Sequence, residues 1–129
     1  MDQVSDDELQ RVIADFLDMG HVDNIVAMFR RESRYYEWTG EILGDRRFAV
    51  RLGVSILFEE LKRLQPERLP LAVPSLRRVL ASEEPLLRGE AVSVLGIIGT
   101  TEAIELVRAR LADPSPQVRE MAALVLDEL

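Results

Sequence analysis

His21 is the only histidine in the 129-residue chain, Lys62 is its only lysine, and there is no cysteine. A histidine titrates near neutrality and can act as an acid–base group. His21, however, falls in a turn between two expected helices with no serine or cysteine beside it to activate. Without cysteine the chain has no disulfide, iron–sulfur cluster, zinc–thiolate site or thiol nucleophile, and a single histidine rules out a multi-histidine metal site. Asp2, Asp6, Asp7 and Glu8 lack the glycine and alternating oxygens of a calcium loop; acids in a first helical turn are what the helix dipole favours. Glu59-Glu60 and Glu83-Glu84 are adjacent pairs, which diverge by about 100° on a helix and cannot act as paired carboxylates. Gly89, Gly96 and Gly99 read as helix-packing or helix-ending glycines, not a phosphate loop. No residue is assigned a catalytic, cofactor-binding or metal-ligating role, and the expectation is a chain that is not an enzyme and carries no cofactor.

Binding chemistry is concentrated elsewhere. Tyr35, Tyr36 and Trp38 are both tyrosines and the only tryptophan, and Arg30, Arg31, Arg34, Arg46 and Arg47 surround them. These residue types bury large area or make forked hydrogen bonds at low entropy cost, which is why they dominate binding hot spots. The eight residues are the candidate partner-binding patch. The competing reading is that the aromatics fill the open N-terminal end of the stack.

Apolar residues make up 47% of the chain and charged residues 30%, an ordinary composition for one folded domain. The net charge of −7 splits as −5 over 1–20, +1 over 21–68 and −3 over 69–129. A global acid excess opposes attraction to nucleic-acid phosphates and anionic membranes. The acidic start is unlike the basic region of a signal peptide. The longest uncharged stretch, Ala91 to Thr101, is far shorter than the ~20 residues of a spanning helix. The closing Leu126-Asp127-Glu128-Leu129 reads as a frayed helix end and not a retention tail, so the expected location is cytoplasmic.

The elements that must position these residues come from an internal repeat. Laying 68–98 over 99–129 gives nine identities in 31 positions, among them Ala72/Ala103, Leu80/Leu111, Pro85/Pro116, Arg88/Arg119, Ala91/Ala122 and Leu95/Leu126. Each unit reads as two helices: Leu69–Ala81 then Pro85–Ile98, and Ala103–Ala112 then Val118–Leu129, with the turns at Ser82 and Asp113. Proline is tolerated in a first helical turn, and Gly99 stops a helix. A weaker copy at an offset of 37 puts Leu43 on Leu80, Val54 on Ala91 and Leu57-Phe58 on Val94-Leu95. Arg51, Arg88 and Arg119 stand six after Asp45, Ser82 and Asp113, a spacing that lets each arginine reach the turn carbonyls or the preceding acid.

Upstream, Ser5-Asp6-Asp7-Glu8 is a capping box, followed by the stripe Leu9, Ile13, Phe16, Leu17 up to Gly20. A second helix starts near Asp23. Residues 33–43 either extend it or form a separate short helix. From Ile25 to Leu43 is 18 residues where Val73–Leu80 and Ile104–Leu111 span seven, so the Tyr35–Trp38 stretch falls in an insertion.

Asp113-Pro114-Ser115-Pro116 followed by Val118-Arg119 and Ala122 resembles the HEAT repeat, nearest the short bacterial kind named after phycobilisome bilin lyases. Ala103-Ile104 and Leu111 match it, as do Ala72-Val73-Pro74, Leu80, Leu87-Arg88, Ala91 and Leu95-Gly96. The resemblance is strong over 69–129, weak over 37–64 and nearly absent over 1–36. It implies protein-binding scaffolds for the most part. Some such proteins are bilin lyases, some DNA glycosylases, and some hydroxylate deoxyhypusine with iron held by His-Glu motifs, which His21-Val22 does not reproduce.

The expected fold is an all-α, right-handed α-α superhelix occupying 1–129: a capping helix over 1–20, a divergent repeat with insertion over 21–64, and repeats over 69–98 and 99–129. The expected function is a scaffold for a protein partner, without catalysis. The alternatives are a bilin-lyase-type accessory protein, told apart by a coloured preparation, and phosphate or nucleic-acid binding through the arginines. Met121 and Leu124 leave an apolar flank on the last helix, the expected seam of a homodimer.

Overall fold

The computed structural model describes residues 4–129; Asp2 of the N-terminal acids lies outside them. Ser5 caps α1 (Asp6–Asp18), its hydroxyl accepting from the Glu8 N–H at 3.1 Å. α2 (Val22–Arg31) buries Ile25, Val26 and Phe29. It does not continue through 33–43: Glu32 leaves helical geometry at φ −138°, ψ 103°, and a separate 3-10 turn, Ser33–Trp38, follows. That turn leads into the short α3 (Thr39–Leu43), where the Thr39 hydroxyl donates back to the Tyr36 carbonyl at 2.7 Å.

α4 (Phe48–Leu64) precedes a 3-10 segment, Pro66–Ala72, and α5 (Val73–Val79). The continuous helix expected over 69–81 is therefore broken. Pro70 and Pro74 lack the N–H that an α-helical bond needs, and each ring crowds the carbonyl four residues back; the tighter 3-10 winding accommodates this. α6 (Pro85–Ile98) ends where Gly99 turns left-handed at φ +70°, as expected of a helix stop. α7 (Thr101–Ala109) starts two residues earlier than expected because the Thr100 hydroxyl caps the Ala103 N–H at 3.2 Å. It tightens into a 3-10 turn, Arg110–Ala112, before α8 (Pro116–Asp127).

Two rows of helices face each other. α1, α4, α6 and α8 pack side by side, and against them lie α3, which packs on α5, and then α7. Among the described residues there is no strand, and the chain is an all-α solenoid of stacked helix pairs. One core runs its length, from Ile13, Leu17 and Phe29 through Leu43, Val54, Phe58 and Leu95 to Val107, Val118 and Ala122. The positions equated by the offset of 37 share a role: Leu43, Leu80, Val54, Ala91, Leu57, Phe58, Val94 and Leu95 are all buried. Of their counterparts in the last repeat, Leu111 is exposed in the 3-10 turn before α8, and Leu126, on α8, is half-buried.

The arginine spacing works as the sequence suggests. Arg51 Nη1 donates to the Asp45 and Arg46 carbonyls at 3.0 and 2.9 Å. Arg88 Nη1 donates to the Ser82 carbonyl at 2.9 Å, and Arg119 Nη1 to the Asp113 and Pro114 carbonyls at 2.7 and 3.1 Å. Each repeat thus closes its own turn with a guanidinium from the following helix.

Candidate partner-binding surface

The 3-10 turn Ser33–Trp38 divides its three aromatics between core and surface. Tyr36 points inward and is wholly buried. Its ring meets Phe29 edge-on at 5.1 Å and Phe58 at 6.0 Å. Its hydroxyl accepts from Gln65 Nε2, and burial pushes its pKa above the ordinary value. Tyr36, placed in the candidate partner-binding patch by its sequence neighbours, is a core residue and offers no surface to a partner.

Tyr35 and Trp38 stay half-buried on the outer side, their centroids 5.1 Å apart. The Arg34 guanidinium lies 5.2 Å from the Tyr35 ring and 5.1 Å from the Trp38 ring. It also donates to Asp6 at 3.3 Å, which ties the cluster to the first turn of α1. An arginine over aromatic faces is favoured by the ring quadrupole.

A pocket of about 580 Å³ opens beside this cluster. Trp38, Pro70, Leu71 and Pro74 form its apolar walls. Asp7, Glu37 and Glu41 bring acid to it, with Arg78, whose Nη2 is 3.1 Å from the Glu41 carboxylate. The pocket is not legible in the sequence because its walls come from α1, the turn before α3 and the Pro66–Ala72 segment, which are remote in the chain.

The arginines do not form one patch. Arg47 binds Asp45 at 3.0 Å and reaches Asp15 and Asp18 at 2.9 and 3.5 Å, and its hydrogen bonds to Asp45 hold that carboxyl below its ordinary pKa. Arg34 sits at Asp6, so the two guanidiniums are separated by roughly 14–18 Å of α1. Arg30, Arg31 and Arg46 are exposed.

A second surface was also missed. Phe48, Leu52 and Ile56 line the outer side of α4 at helical spacing and are 65%, 47% and 45% exposed. The signal was present as a second apolar stripe on a helix whose other face is buried. Beside it, a groove of about 450 Å³ crosses α4, α6 and α8, with Ser55, Ile97, Met121 and Leu124 among its lining residues. Met121 is half-buried and Leu124 exposed.

His21 is exposed at the start of α2 and packs edge-on against Phe16 at 5.9 Å. Among the described residues no group of three or more His, Cys, Asp or Glu side chains could hold a metal ion, and no helix is long and apolar enough to cross a membrane.

Comparison with known proteins adds a family and an enzyme name. The sequence model for a family described as HEAT repeats matches residues 37–127. A deoxyhypusine hydroxylase of Eremothecium gossypii is 40% identical over 60 residues, and one of Candida albicans is 42% identical over 60 residues. Each match covers 45% of this chain and 19% of the relative, so the chain spans about a fifth of the curated relatives' length. No solved structure matches. These names overturn the expectation of a chain that is not an enzyme, since repeats like these are found in proteins named for one. The iron that the resemblance implies for that enzyme does not fit the side chains here: the lone histidine is a surface residue followed by Val22.

Proposed function

The chain belongs to the HEAT repeat family, and from that premise we propose that it is a protein-binding repeat module whose recognition surface is centred on Trp38. The observation that carries this reading is the half-buried Trp38–Tyr35 pair, clamped by Arg34 at the mouth of a pocket with apolar walls. A rigid aromatic partly open to solvent, beside a concave surface, is the arrangement that gives a hot spot its energy when a partner excludes the remaining water. Arg30, Arg31, Arg46 and Arg47 do not line this pocket, and Arg47 is held by Asp15, Asp18 and Asp45, so the recognition surface is centred on Trp38, Tyr35 and Arg34.

The test compares proteins retained from the native host by the wild type and by Trp38→Ala, quantified by mass spectrometry, alongside thermal unfolding. The expected result is a specific partner lost from the variant, with a much smaller change in melting temperature. A variant that keeps every retained protein, or that loses binding only in step with its fold, removes Trp38 from the recognition surface.

A further inference from the structure

We infer that the pocket beside Trp38 takes the guanidinium of an arginine carried on a basic segment of a partner protein, an inference that rests on the protein-binding reading above. Three carboxylates, Asp7, Glu37 and Glu41, face one cation, Arg78, and that cation is already paired with Glu41 at 3.1 Å. The neighbouring Asp6 is held by Arg34. Among the described residues no ion pair reaches Asp7 or Glu37, and both are exposed to an incoming group.

The walls suit the same ligand. The indole of Trp38 offers a flat apolar face, Pro70 and Pro74 add apolar wall beside it, and prolines present no backbone N–H that would compete for the carboxylates. A guanidinium stacks on the indole face while its planar fork donates in the plane to carboxylates, which an ammonium cannot do. The chain already seats one guanidinium against this indole: Arg34, 5.1 Å from the ring centroid. An acidic segment would meet three carboxylates at close range, and a neutral apolar one would strip water from Asp7 and Glu37 without replacing it. The net charge of −7 draws a basic partner from a distance.

Trp38 is the only tryptophan, so its emission reports on the pocket directly. The probe is a capped Gly-Arg-Gly-Arg-Gly peptide titrated into the full chain, with the same peptide carrying citrulline, the uncharged isostere, as comparison. The expected result is a saturable change in Trp38 emission that weakens with salt. Affinity should fall about tenfold with citrulline and with the Asp7→Asn, Glu37→Gln double variant, the scale of a lost charge-assisted hydrogen bond. Equal binding of the citrulline peptide, a double variant that binds like the wild type, or no saturable change overturns the inference. If one of these occurs while the native partner still depends on Trp38, protein binding stands and the partner is of another chemistry. If arginine binding holds but the native partner ignores Trp38, the pocket binds guanidinium and the recognition surface lies elsewhere.

Discussion

Arg88 and Asp113, 25 residues apart, form a buried forked pair across two repeats: Arg88 Nε and Nη2 donate to the two Asp113 oxygens at 3.0 and 2.9 Å. The aspartate side chain is wholly buried and also accepts from Arg110 at 3.2 Å and from the Ser115 N–H at 2.9 Å. Since Arg88 Nη1 holds the Ser82 carbonyl as well, one guanidinium fastens its own turn and the next. Removing one partner strands a buried charge. Asp113→Ala should cost about 3–5 kcal/mol in urea unfolding, against total stabilities of ~5–15 kcal/mol. Arg88→Met combined with Asp113→Ala should cost less than the two single changes added together. Strict additivity would show that the pair is not coupled.

The same pair sets an acid dependence. Hydrogen bonds from Arg88, Ser115 and Arg110 hold the Asp113 carboxyl far below its ordinary value of 3.8, burial opposing them. A depressed folded pKa contributes stability above the unfolded value, and that stability is lost as pH falls through the folded one. Melting temperature should therefore drop steeply below about pH 4 in the wild type and less steeply in Asp113→Asn. Glu90 has the opposite sign: burial raises its pKa, so its contribution is lost as pH rises. Glu90→Gln should raise the melting temperature at pH 7 and bring no gain at pH 3. Parallel curves for wild type and Asp113→Asn would contradict the assignment.

Arg51 occupies the Arg88 position one repeat earlier, but the residue matching Asp113 is Ser82. Arg51 is 7% exposed and its Nε has no hydrogen-bond partner. Ser82→Asp should supply the missing carboxylate and stabilise the chain by about 1 kcal/mol. The gain should vanish in an Arg51→Met background. A gain that survives there would come from the turn and not from the guanidinium.

Gly40 and Ser75 bring α3 and α5 into direct contact, the Gly40 N–H donating to the Ser75 hydroxyl at 2.9 Å. A Cβ at Gly40 would stand 2.5 Å from the Ser75 carbonyl oxygen, which is backbone and cannot rotate away. Gly40→Ala should cost roughly 1–3 kcal/mol as an overpacked contact, and calorimetry should show a lower melting temperature. Ser75→Ala, which removes only the hydroxyl, should cost less. A Gly40→Ala chain as stable as the wild type would show that the two helices can move apart.

The repeat, its helix pairs and its turn arginines were legible in the sequence because they depend on local rules. Helical periodicity places Leu95 and Val118 inward, glycine stops α6 at Gly99, and six residues is the reach from an arginine one turn into a helix back to the turn carbonyls. Where those local rules were read as a continuous helix over 69–81, two prolines required 3-10 winding instead. The fate of the aromatics was decided only in three dimensions. Tyr35, Tyr36 and Trp38 are neighbours of similar type, and a 3-10 turn sends successive side chains in different directions, Tyr36 between Phe29 and Phe58 and Trp38 to the rim. The bond from Arg88 to Asp113 and the pocket walled by Trp38, Pro70 and Pro74 depend equally on which elements stack, since Asp113 lies 25 residues from Arg88 and Pro70 lies 32 from Trp38. Stacking is set by the summed burial of whole helix faces, a quantity that no single window of sequence contains.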